Sequence, residues 1–533
     1  EAPMPWREDV TGGRSAGGCA PARRGRTGLL WLAPLILLTL ASACGAPAVE
    51  ERPASFAATD TGQTFLARRV RALENPGDGR SGVHLLSDGP AALALRLVLA
   101  EHAERSIDAQ YYILHNDATG QLFAGQLLMA ADRGVHVRLL LDDMYTAEYD
   151  AMTRALTGHP NIEIRLYNPF RRDIGRAIGG LLDFGRINRR MHNKSMTFDS
   201  QLTIVGGRNI GNEYFAADET SNYDDLDILA AGPVVGEVSG VFDAYWNSAF
   251  ALPAESVIGE RGAELSLDEA RARLLRSYET ALGTEYGAAL SHGIREAVAS
   301  GRLGLDWVPA EVMADPPEKT AGAAAKVLAH DTTPVLLSAR SEVVVASAYF
   351  VPGPGGVALL SDLARRGVRV VVLTNSLDSN DVEPVHGHYA RYRKALLEAG
   401  VELWELRAER ERPDRDFLAL GQSGSALHSK AFVVDRRKFF IGSFNWDPRS
   451  VRINTEMGIL IDAPEIAEDA VRRLEEHLPD SAYRLRLGED GGIQWLAWQE
   501  DGTWIAYARE PSISPWRRLR TGIYGMLPIG SQL

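Results

Sequence analysis

Apolar and polar positions along residues 82–251 follow two alternating periods. Residues 90–103 carry apolar side chains at helical spacing, and residues 106–114 (SIDAQYYIL) have the length and composition of a strand. A second helix is predicted over residues 120–133, followed by a buried strand over residues 135–141 (VHVRLLL) that ends in polar residues. Strands that alternate with helices are typical of an α/β fold, and we expect mostly parallel sheets with helices on their faces.

The same pattern returns in residues 331–482. The stretch ADRGVHVRLLL at 131–141 matches ARRGVRVVVL at 364–373 almost position for position. NIEIRLY at 161–167 likewise corresponds to GVELWEL at 400–406. The copies are spaced far too widely for a solenoid, whose repeats span roughly 20–50 residues. We therefore predict two pseudo-symmetric α/β halves whose elements follow in the same order.

A polar motif follows these strands in each half. Residues 191–209 read MHNKSMTFDSQLTIVGGRN, and residues 427–445 read LHSKAFVVDRRKFFIGSFN. Each copy holds a histidine, a lysine two positions later and an aspartate five positions after the lysine. These residues are His192, Lys194 and Asp199 in the first copy and His428, Lys430 and Asp435 in the second. Because alternate side chains of a strand share a face, each histidine is expected to project beside its lysine.

Small residues and an asparagine close each motif after a second apolar strand. They are Gly206, Gly207 and Asn209 in the first copy and Gly442, Ser443 and Asn445 in the second. Minimal side chains let backbone amides approach an anionic group, and each asparagine can donate two hydrogen bonds. Two copies of imidazole, ammonium and amide therefore predict a symmetric cradle for a tetrahedral phosphate diester.

A carboxylate begins the strand that follows each motif. Asp225 and Glu456 stand eight positions before Pro233 and Pro464, respectively. A carboxylate bonded to one imidazole nitrogen fixes the tautomer and leaves the other nitrogen free to react. Displacement at phosphorus needs a nucleophile and an acid for the leaving oxygen, so two oriented histidines would supply one task each.

His-x-Lys-x4-Asp followed by a small-residue pair, present twice, resembles the signature of the phospholipase D superfamily. Other stretches resemble bacterial cardiolipin synthases, in particular the cardiolipin synthase C-like group. They include YYILHNDATG at 111–120, MHNKSMTFDSQLTIVGGRNIGNEYF at 191–215, TNSLDSNDVEPVHGHYARYRKALLEAGVELWEL at 374–406 and the C-terminal tail.

The resemblance implies two phospholipase D-like α/β/α sandwich halves that share one active site, with no metal and no cofactor. It implies transfer of a phosphatidyl group through a phosphohistidine, with His192 as nucleophile and His428 as general acid. Asp199 and Asp435 would support the site structurally. The favoured reaction is cardiolipin synthesis from phosphatidylglycerol with a second phospholipid as donor. Hydrolysis to phosphatidic acid is the alternative, because sequence does not decide between water and an alcohol as acceptor.

The formal net charge of −13 bears on the choice among functions. A nuclease or other phosphodiesterase of the same superfamily would use the same chemistry on DNA, but a nuclease is expected to carry a basic groove. A non-catalytic lipid-binding protein would tolerate loss of a motif histidine or lysine, and all four are present. We expect a monomer whose partners are phospholipid substrates and a membrane, with no nucleic acid; an accessory protein is left open.

The N-terminal residues have the pattern of a targeting segment. Three arginines precede the apolar stretch 29–40, which is short for a bilayer span but suits a signal peptide over residues 1–43. LASAC resembles a bacterial lipobox, so Cys44 is predicted to be lipidated and to anchor the protein at the cell envelope. An uncleaved signal anchor is the alternative. Residues 44–81 are predicted to form a tether with a short helix near residues 65–73.

The remaining segments flank or join the two halves. Residues 252–330 are acidic and helix-rich and are predicted to form a linker or insert, and residues 483–533 form a tail that could face the membrane. Two basic and apolar stretches, 170–190 and 516–527, suit interfacial helices on anionic lipid or ordinary amphipathic surface helices.

Two residue pairs have competing interpretations. His386 and His388 have the spacing of metal ligands, but no third ligand motif is evident, which leaves substrate contact or loop packing. Tyr111 and Tyr112 are adjacent on a predicted strand, so one is expected in the core while either could line a lipid pocket.

Overall fold

The computed structural model describes residues 52–73, 76–172, 175–218, 222–259, 265–282, 285–323, 326–408, 425–499 and 501–533. Two large mixed β-sheets dominate these residues, one in each half of the chain. Helices pack against both sheets, so the predicted α/β fold with two similar halves is confirmed. Cys44 and the predicted signal peptide lie outside the described residues.

The first sheet has nine strands. In chain order they are β1 (Ser81–Leu86), β2 (Ser106–Tyr111), β3 (His136–Asp142), β4 (Ile162–Tyr167), β5 (Ser195–Phe198), β6 (Leu202–Gly206), β8 (Asp227–Ala231), β9 (Ala251–Pro253) and β10 (Asp306–Val308). Across the sheet they follow the order β10-β1-β8-β6-β5-β2-β3-β4-β9.

The second sheet has ten strands. They are β11 (Ala310–Ala314), β12 (Glu342–Ser347), β13 (Arg369–Asn375), β14 (Glu402–Leu406), β16 (Lys430–Val434), β17 (Lys438–Gly442), β18 (Met457–Asp462), β19 (Ala482–Leu487), β20 (Ile493–Trp498) and β21 (Trp504–Tyr507). Their order is β11-β18-β17-β16-β12-β13-β14-β19-β20-β21. The run β18-β17-β16-β12-β13-β14 repeats the run β8-β6-β5-β2-β3-β4, so the duplication in sequence is a duplication of topology. A separate two-stranded parallel sheet pairs β7 (Asn222–Asp224) with β15 (Ser425–Leu427).

Helices cover the two sheets and fill the segment between the halves. Those before the second sheet are α1 (Phe65–Arg71), α2 (Gly89–His102), α3 (Ala118–Asp132), α4 (Asp150–Leu156), α5 (Arg176–Leu182), α6 (Phe184–Ile187), α7 (Pro233–Trp246), α8 (Ala254–Ile258), α9 (Leu267–Leu282) and α10 (Glu285–Ser300). Those in the second half and the tail are α11 (Leu328–Leu337), α12 (Gly353–Arg365), α13 (Glu383–Ala390), α14 (Arg393–Glu398), α15 (Pro448–Arg452), α16 (Pro464–Ser481) and α17 (Pro515–Met526).

The expectation of mostly parallel sheets is wrong. Among the described strands of the two large sheets, only β2-β3-β4 and β12-β13-β14 are parallel neighbours. Each His-x-Lys motif leads into a hairpin instead, with β5 antiparallel to β6 and β16 antiparallel to β17. A short polar turn can join only antiparallel neighbours, whereas a parallel pair needs a crossover long enough for a helix.

Three apolar layers hold these elements together. One lies between the first sheet and helices such as α2 and α3, and a second lies between the second sheet and helices such as α12. A third layer joins the halves, with contributions from both sheets, α7 and α16. Burial of that shared layer fixes one half against the other and brings their motif-bearing strands together.

The segments outside the two predicted halves also join the sheets. The predicted linker contains α9 and α10, but it also supplies edge strand β10 to the first sheet and β11 to the second. The tail supplies β20 and β21 to the second sheet. The described part of the predicted tether packs on α7, where the Ser55 hydroxyl accepts from Trp246 Nε1 at 2.8 Å. None of the helices in the described residues is both long and apolar enough to cross a membrane.

Candidate active site

Each motif histidine lies at the entrance of a hairpin. His192 and Lys194 directly precede β5, and Lys430 is the first residue of β16. Lys194 Nζ donates to the His192 carbonyl at 2.6 Å, and Lys430 Nζ donates to the His428 carbonyl. All four side chains are buried, so each ammonium is held beside its own histidine.

The motif aspartates stabilise the hairpins. Asp199 and Asp435 occupy the two turns with positive φ angles of 50° and 53°. The Asp199 carboxylate accepts backbone N–H bonds from Glu104, Arg105 and Ser106 at the start of β2. Asp435 accepts the three equivalent N–H groups at the start of β12. These contacts support a structural role, as the resemblance implied.

The two halves exchange backbone hydrogen bonds beside the histidines. His192 N donates to the Thr455 carbonyl at 2.9 Å, and His428 N donates to the Asp224 carbonyl at 2.7 Å. The residues that follow Thr455 and Asp224 are the two carboxylates that sequence analysis proposed as orienters. Each half therefore delivers its carboxylate to the histidine of the other half.

The carboxylate–histidine pairs cross between the halves. His192 Nδ1 lies 2.8 Å from Glu456 Oε2, and His428 Nδ1 lies 2.5 Å from Asp225 Oδ2. A carboxylate that accepts from Nδ1–H leaves Nε2 as the reactive nitrogen. Neither half holds an oriented histidine by itself, so the four side chains form one shared site.

The missing side chains of the first motif's glycines leave room for residues at and just before the start of β8. A Cβ atom at Gly207 would clash with the Asp225 carboxylate, and one at Gly206 would clash with Asp227. Their N–H groups donate to backbone carbonyls, with Gly207 N 3.2 Å from Leu226 O. The space left by the missing side chains is occupied by the protein's own carboxylates, and contact of Gly206 and Gly207 with substrate stays a prediction.

Gly442 and Ser443 take the equivalent positions in the second half. A Cβ at Gly442 would clash with the backbone of β18. Ser443 N donates to Met457 O at 2.8 Å, and the Ser443 hydroxyl donates to Glu456 Oε2 at 2.5 Å. The serine N–H and hydroxyl both help to fix Glu456 and its strand, and contact of Gly442 and Ser443 with substrate stays a prediction.

The motif asparagines brace neighbouring loops. Asn209 Oδ1 accepts from Ile113 N at 3.1 Å, and its Nδ2 donates to the Tyr214 hydroxyl at 3.0 Å. Asn445 Oδ1 accepts from Tyr349 N at 3.4 Å. Both amides thus help to place the residues that follow β2 and β12, and their contact with substrate stays a prediction.

Burial and the paired lysines lower the pKa of both imidazoles. Burial lowers the pKa of His192 well below its usual range, and Lys194 and Lys430 lower it further. Burial and Lys430 also lower the pKa of His428, but the Asp225 carboxylate opposes that shift. His428 is therefore the better proton acceptor of the two.

The two orienting carboxylates differ in charge. Burial raises the pKa of Glu456 to about 7, although Lys194 opposes the shift. Burial would also raise the pKa of Asp225, but His428 and Lys430 hold it below its usual range. Near pH 7, Asp225 is therefore ionised beside His428, while Glu456 is close to its titration midpoint.

Only one of the two adjacent tyrosines faces the site. Tyr111 is buried in the core, where its hydroxyl accepts from Arg96 Nε at 3.2 Å. The Tyr112 ring meets the His192 ring edge-on, with 5.0 Å between centroids. The alternation of a strand accounts for this division.

Aromatic rings and one carboxylate frame His428. The Tyr223 ring stacks on the His428 ring at 4.9 Å between centroids. Asp381 Oδ2 accepts from the Tyr223 hydroxyl at 3.1 Å and from the Tyr349 hydroxyl at 2.9 Å. Asp381 is exposed, so this side of the site presents apolar ring faces and a carboxylate to an entering group.

Polar residues at the ends of β3 and β13 hold the residue before each histidine. Asp142 accepts from Met191 N at 2.8 Å and from Arg190 Nη1 at 3.2 Å. Asn375 bonds both the N–H and the carbonyl of Leu427, each at 2.8 Å. The sequence pattern did not single out these residues, although functional side chains often lie at the carboxyl ends of parallel strands.

The two histidines of α13 pack against the tail. His386 Nε2 lies 2.9 Å from Glu510 Oε1 and 2.8 Å from Arg393 Nη2. His388 is buried beside Gly530. Packing within the protein therefore accounts for both histidines, although they lie on a helix and not in the expected loop. Within the described ranges, no three His, Cys, Asp or Glu side chains are grouped to hold a metal ion.

Known proteins match this chain in sequence and in fold. A family model described as "Cardiolipin synthase, PLD-like domain" matches residues 97–246 and 333–478, which include both motifs and both orienting carboxylates. The chain belongs to this family of phospholipase D-like cardiolipin synthases. Cardiolipin synthase C of Escherichia coli strain K12 is 40% identical over 478 residues, covering 87% of this chain and 98% of the relative. The predicted phospholipase D-type phosphatidyltransferase is therefore confirmed at the level of the family.

More distant members extend the comparison. A cardiolipin synthase of Alkalihalophilus pseudofirmus is 26% identical, covering 74% of this chain and 66% of the relative. The crystal structure of phosphatidylserine synthase from Haemophilus influenzae Rd KW20 superposes with a TM-score of 0.53 at 16% identity. That match covers 79% of this chain and 92% of the other, and it shows the shared fold.

Proposed function

We propose that the protein transfers a phosphatidyl group from a donor phospholipid to phosphatidylglycerol, with cardiolipin as the product. The observation that carries this proposal is the pair of imidazoles, each held at Nδ1 by a carboxylate of the opposite half. This arrangement leaves Nε2 of both rings for the reaction, one as nucleophile and the other as carrier of the proton, as a double displacement at phosphorus requires. Similarity to cardiolipin synthase C over nearly the whole relative supports the choice of substrate and acceptor.

The proposed reaction has two displacements. His428 first takes up a proton at Nε2 from solvent. His192 Nε2 then attacks the donor phosphorus, the bond to the headgroup oxygen breaks, and His428 gives that proton to the leaving oxygen. The acceptor hydroxyl then gives its proton to His428 and attacks phosphorus, and the N–P bond breaks to restore His192. Lys194 and Lys430 supply positive charge beside each histidine for the non-bridging phosphate oxygens.

The difference between the carboxylates supports this division of roles. An ionised Asp225 stabilises the imidazolium that His428 must become when it carries the proton. His192 is held neutral by burial and two lysines, and a nucleophile must be neutral. We therefore assign His192 as the nucleophile and His428 as the general acid and base.

The test is a product analysis with purified protein. Vesicles of phosphatidylglycerol, with and without phosphatidylethanolamine, are incubated with the enzyme, and the lipids and the protein are analysed by mass spectrometry. We expect cardiolipin as product and a trapped phosphatidyl adduct on His192. Phosphatidic acid without cardiolipin would assign hydrolysis by a phospholipase D instead. Cleavage of DNA without lipid turnover would contradict both assignments.

Exposed apolar side chains lie on two groups of helices. In α5 and α6, Leu181 is 82% exposed and Phe184 is 60% exposed, and Arg176 of α5 donates to the Met144 carbonyl at 2.8 Å. In α17, Trp516 is 68% exposed. Together with Ile178, Leu182, Leu519, Ile523 and Met526, these residues are called the apolar rim. We propose that the apolar rim enters the lipid surface.

The arginines of the two stretches are largely used within the protein. Arg172 pairs with Asp143 at 2.7 Å, and Arg517 and Arg520 pair with Glu383. Arg517 also donates to the Asn380 carbonyl at 3.2 Å, which ties α17 to the loop that carries Asp381. Membrane contact through the apolar rim would therefore depend on burial of apolar area more than on charge.

Loss of the apolar rim is expected to weaken vesicle binding. Leu181→Ser with Phe184→Ser, or Trp516→Ser with Leu519→Ser, should lower the partition coefficient about tenfold or more, because each buried apolar side chain contributes roughly 1.5–3 kcal/mol. Cosedimentation with phosphatidylglycerol vesicles at low and high salt measures this effect. Leu337→Ser, at another exposed leucine, is the matched control. Wild-type binding that disappears in high salt would favour an electrostatic surface instead.

We also propose lipidation of Cys44 as the anchor of the protein at the bacterial cell envelope. The LASAC sequence supports this assignment. Labelled fatty acid should be incorporated in cells and lost in Cys44→Ser. A mature protein that retains residues 1–43 by intact-mass measurement would assign a signal anchor.

A further inference from the structure

A turn in the predicted insert (residues 252–330) hydrogen-bonds to the backbone of Glu456. Asp315 continues the pairing of β11 with β18: its N–H donates to the Glu456 carbonyl at 2.9 Å, and its Oδ2 accepts from Glu456 N at 2.9 Å. Lys319 Nζ donates to the same Asp315 Oδ2 at 2.7 Å and to the Ser450 carbonyl at 2.8 Å. Asp315 and Lys319 are both buried. We call residues 315–321 the insert turn.

The insert turn is also attached to the first half. The Asp315 carbonyl accepts from the Tyr245 hydroxyl at 2.7 Å. Tyr167 bonds Thr320 Oγ1 at 2.9 Å, and Arg189 Nη1 lies 3.3 Å from the Lys319 carbonyl. One short segment therefore touches the half that carries His192 and the half that carries Glu456. It can set the distance between these two side chains.

Charged groups surround the Glu456 carboxyl on every packed side. They are His192 and Lys194 before β5, Lys430 on β16, Asp447 after β17, and Asp315 and Lys319 of the insert turn. Burial raises the pKa of Glu456 to about 7, and Lys194 and Lys319 counteract that rise. His428 and Lys430 hold the pKa of the other orienting carboxylate, Asp225, below its usual range, so Asp225 is ionised. Of the two orienting carboxylates, Glu456 is therefore the one whose protonation state depends on the charged groups around it.

We infer that Lys319 and Asp315 are positioning residues: together they hold Glu456 in place, and Lys319 keeps it ionised beside His192. This role rests on the proposed function, because it concerns the nucleophile of that reaction. An ionised Glu456 accepts from Nδ1–H and leaves the Nε2 lone pair of His192 free. A protonated Glu456 would donate to Nδ1 and place the imidazole proton on Nε2, which cannot then attack phosphorus.

The inference predicts the acid limb of the pH–rate profile. In the wild type, activity should fall as the pH drops below about 7, as Glu456 takes up a proton. Lys319→Met removes a positive charge and should move this limb to higher pH by about 0.5 unit or more. Lys319→Arg keeps the charge and should restore the wild-type limb. Asp315→Asn removes a negative charge and should move the limb to lower pH.

The measurement uses two substrates and a matched control. Rates are taken with lipid vesicles and with the soluble diester bis(p-nitrophenyl) phosphate, and folding of each variant is checked by circular dichroism. Lys326→Met is the control, because Lys326 is exposed in the same insert and pairs with Asp331. Its profile should match the wild type.

A readout without turnover separates this inference from the proposed function. NMR of protein labelled with ¹⁵N-histidine should show the Nδ1–H tautomer of His192 in the wild type at pH 7.5, with the signal assigned by its loss in His192→Ala. Lys319→Met should raise the share of Nε2–H tautomer even if no lipid is turned over. Opposite limb shifts in Lys319→Met and Asp315→Asn support the inference. A uniform loss of rate with unchanged limbs and unchanged tautomer would overturn it.

Discussion

Replacement of either His192 or His428 by alanine is expected to lower turnover by about 10³-fold or more. The two histidines come from different halves, but each completes the same site through a carboxylate of the other half. In the proposed mechanism, loss of His192 removes the nucleophile, and loss of His428 removes the proton donor of the first displacement. Steady-state cardiolipin formation measures both effects.

The intermediate distinguishes the two variants. His428→Ala keeps the nucleophile and should still form a small amount of phosphatidyl adduct with an activated diester, whereas His192→Ala should form none. His136→Ala is the matched control, because His136 is bonded to Glu163 at 2.9 Å away from the site. If either motif variant kept more than a tenth of the wild-type rate, one shared site would no longer explain the reaction.

Replacement of an orienting carboxylate by its amide is expected to lower turnover by about 10³- to 10⁴-fold. Glu456→Gln acts on His192 and Asp225→Asn acts on His428, although each pair is separated by more than two hundred residues of sequence. An amide NH₂ can donate to the imidazole and stabilise the wrong tautomer, so the structure is preserved while the reactive nitrogen is lost. Steady-state rates and thermal stability together measure this effect.

The crossing of the pairs can be tested by combining variants. Glu456→Gln added to His192→Ala should cost little more than His192→Ala alone, because both changes disable the same histidine. Glu476→Gln, at an exposed glutamate that pairs with Arg472, serves as control and should leave the rate unchanged. Coupling of Glu456 to His428 rather than to His192 would contradict the observed pairing.

The sequence predicted the duplication because apolar periodicity is a local property. The matching stretches at 131–141 and 364–373 became β3 and β13, which occupy equivalent places in the two sheets. Strand direction was predicted less well. The three-residue turns that begin at the motif aspartates produce antiparallel hairpins, and the parallel pairs are confined to the strands that helical crossovers connect.

The motif residues show a similar division. A small residue leaves space that either a bound phosphate or a carboxylate of the protein can fill. At Gly207 that space holds the Asp225 carboxylate. The basic stretches were ambiguous in the same way, because the sequence does not show whether an arginine forms an ion pair with a residue that is distant along the chain. Arg172 and Arg517 are paired, and the apolar side chains between such arginines are the ones that remain exposed.

The sequence by itself determined which side chains are proposed to carry the chemistry: two histidines, two lysines and two carboxylates in repeated local patterns that a short strand and a turn suffice to produce. Only the tertiary structure decided their partners. Glu456 reaches His192 across 264 residues and Asp225 reaches His428 across 203. The apolar layer between the two sheets and the backbone bonds at Thr455 and Asp224 bring these pairs together. Such contacts depend on how the halves pack, which no local pattern of the chain encodes.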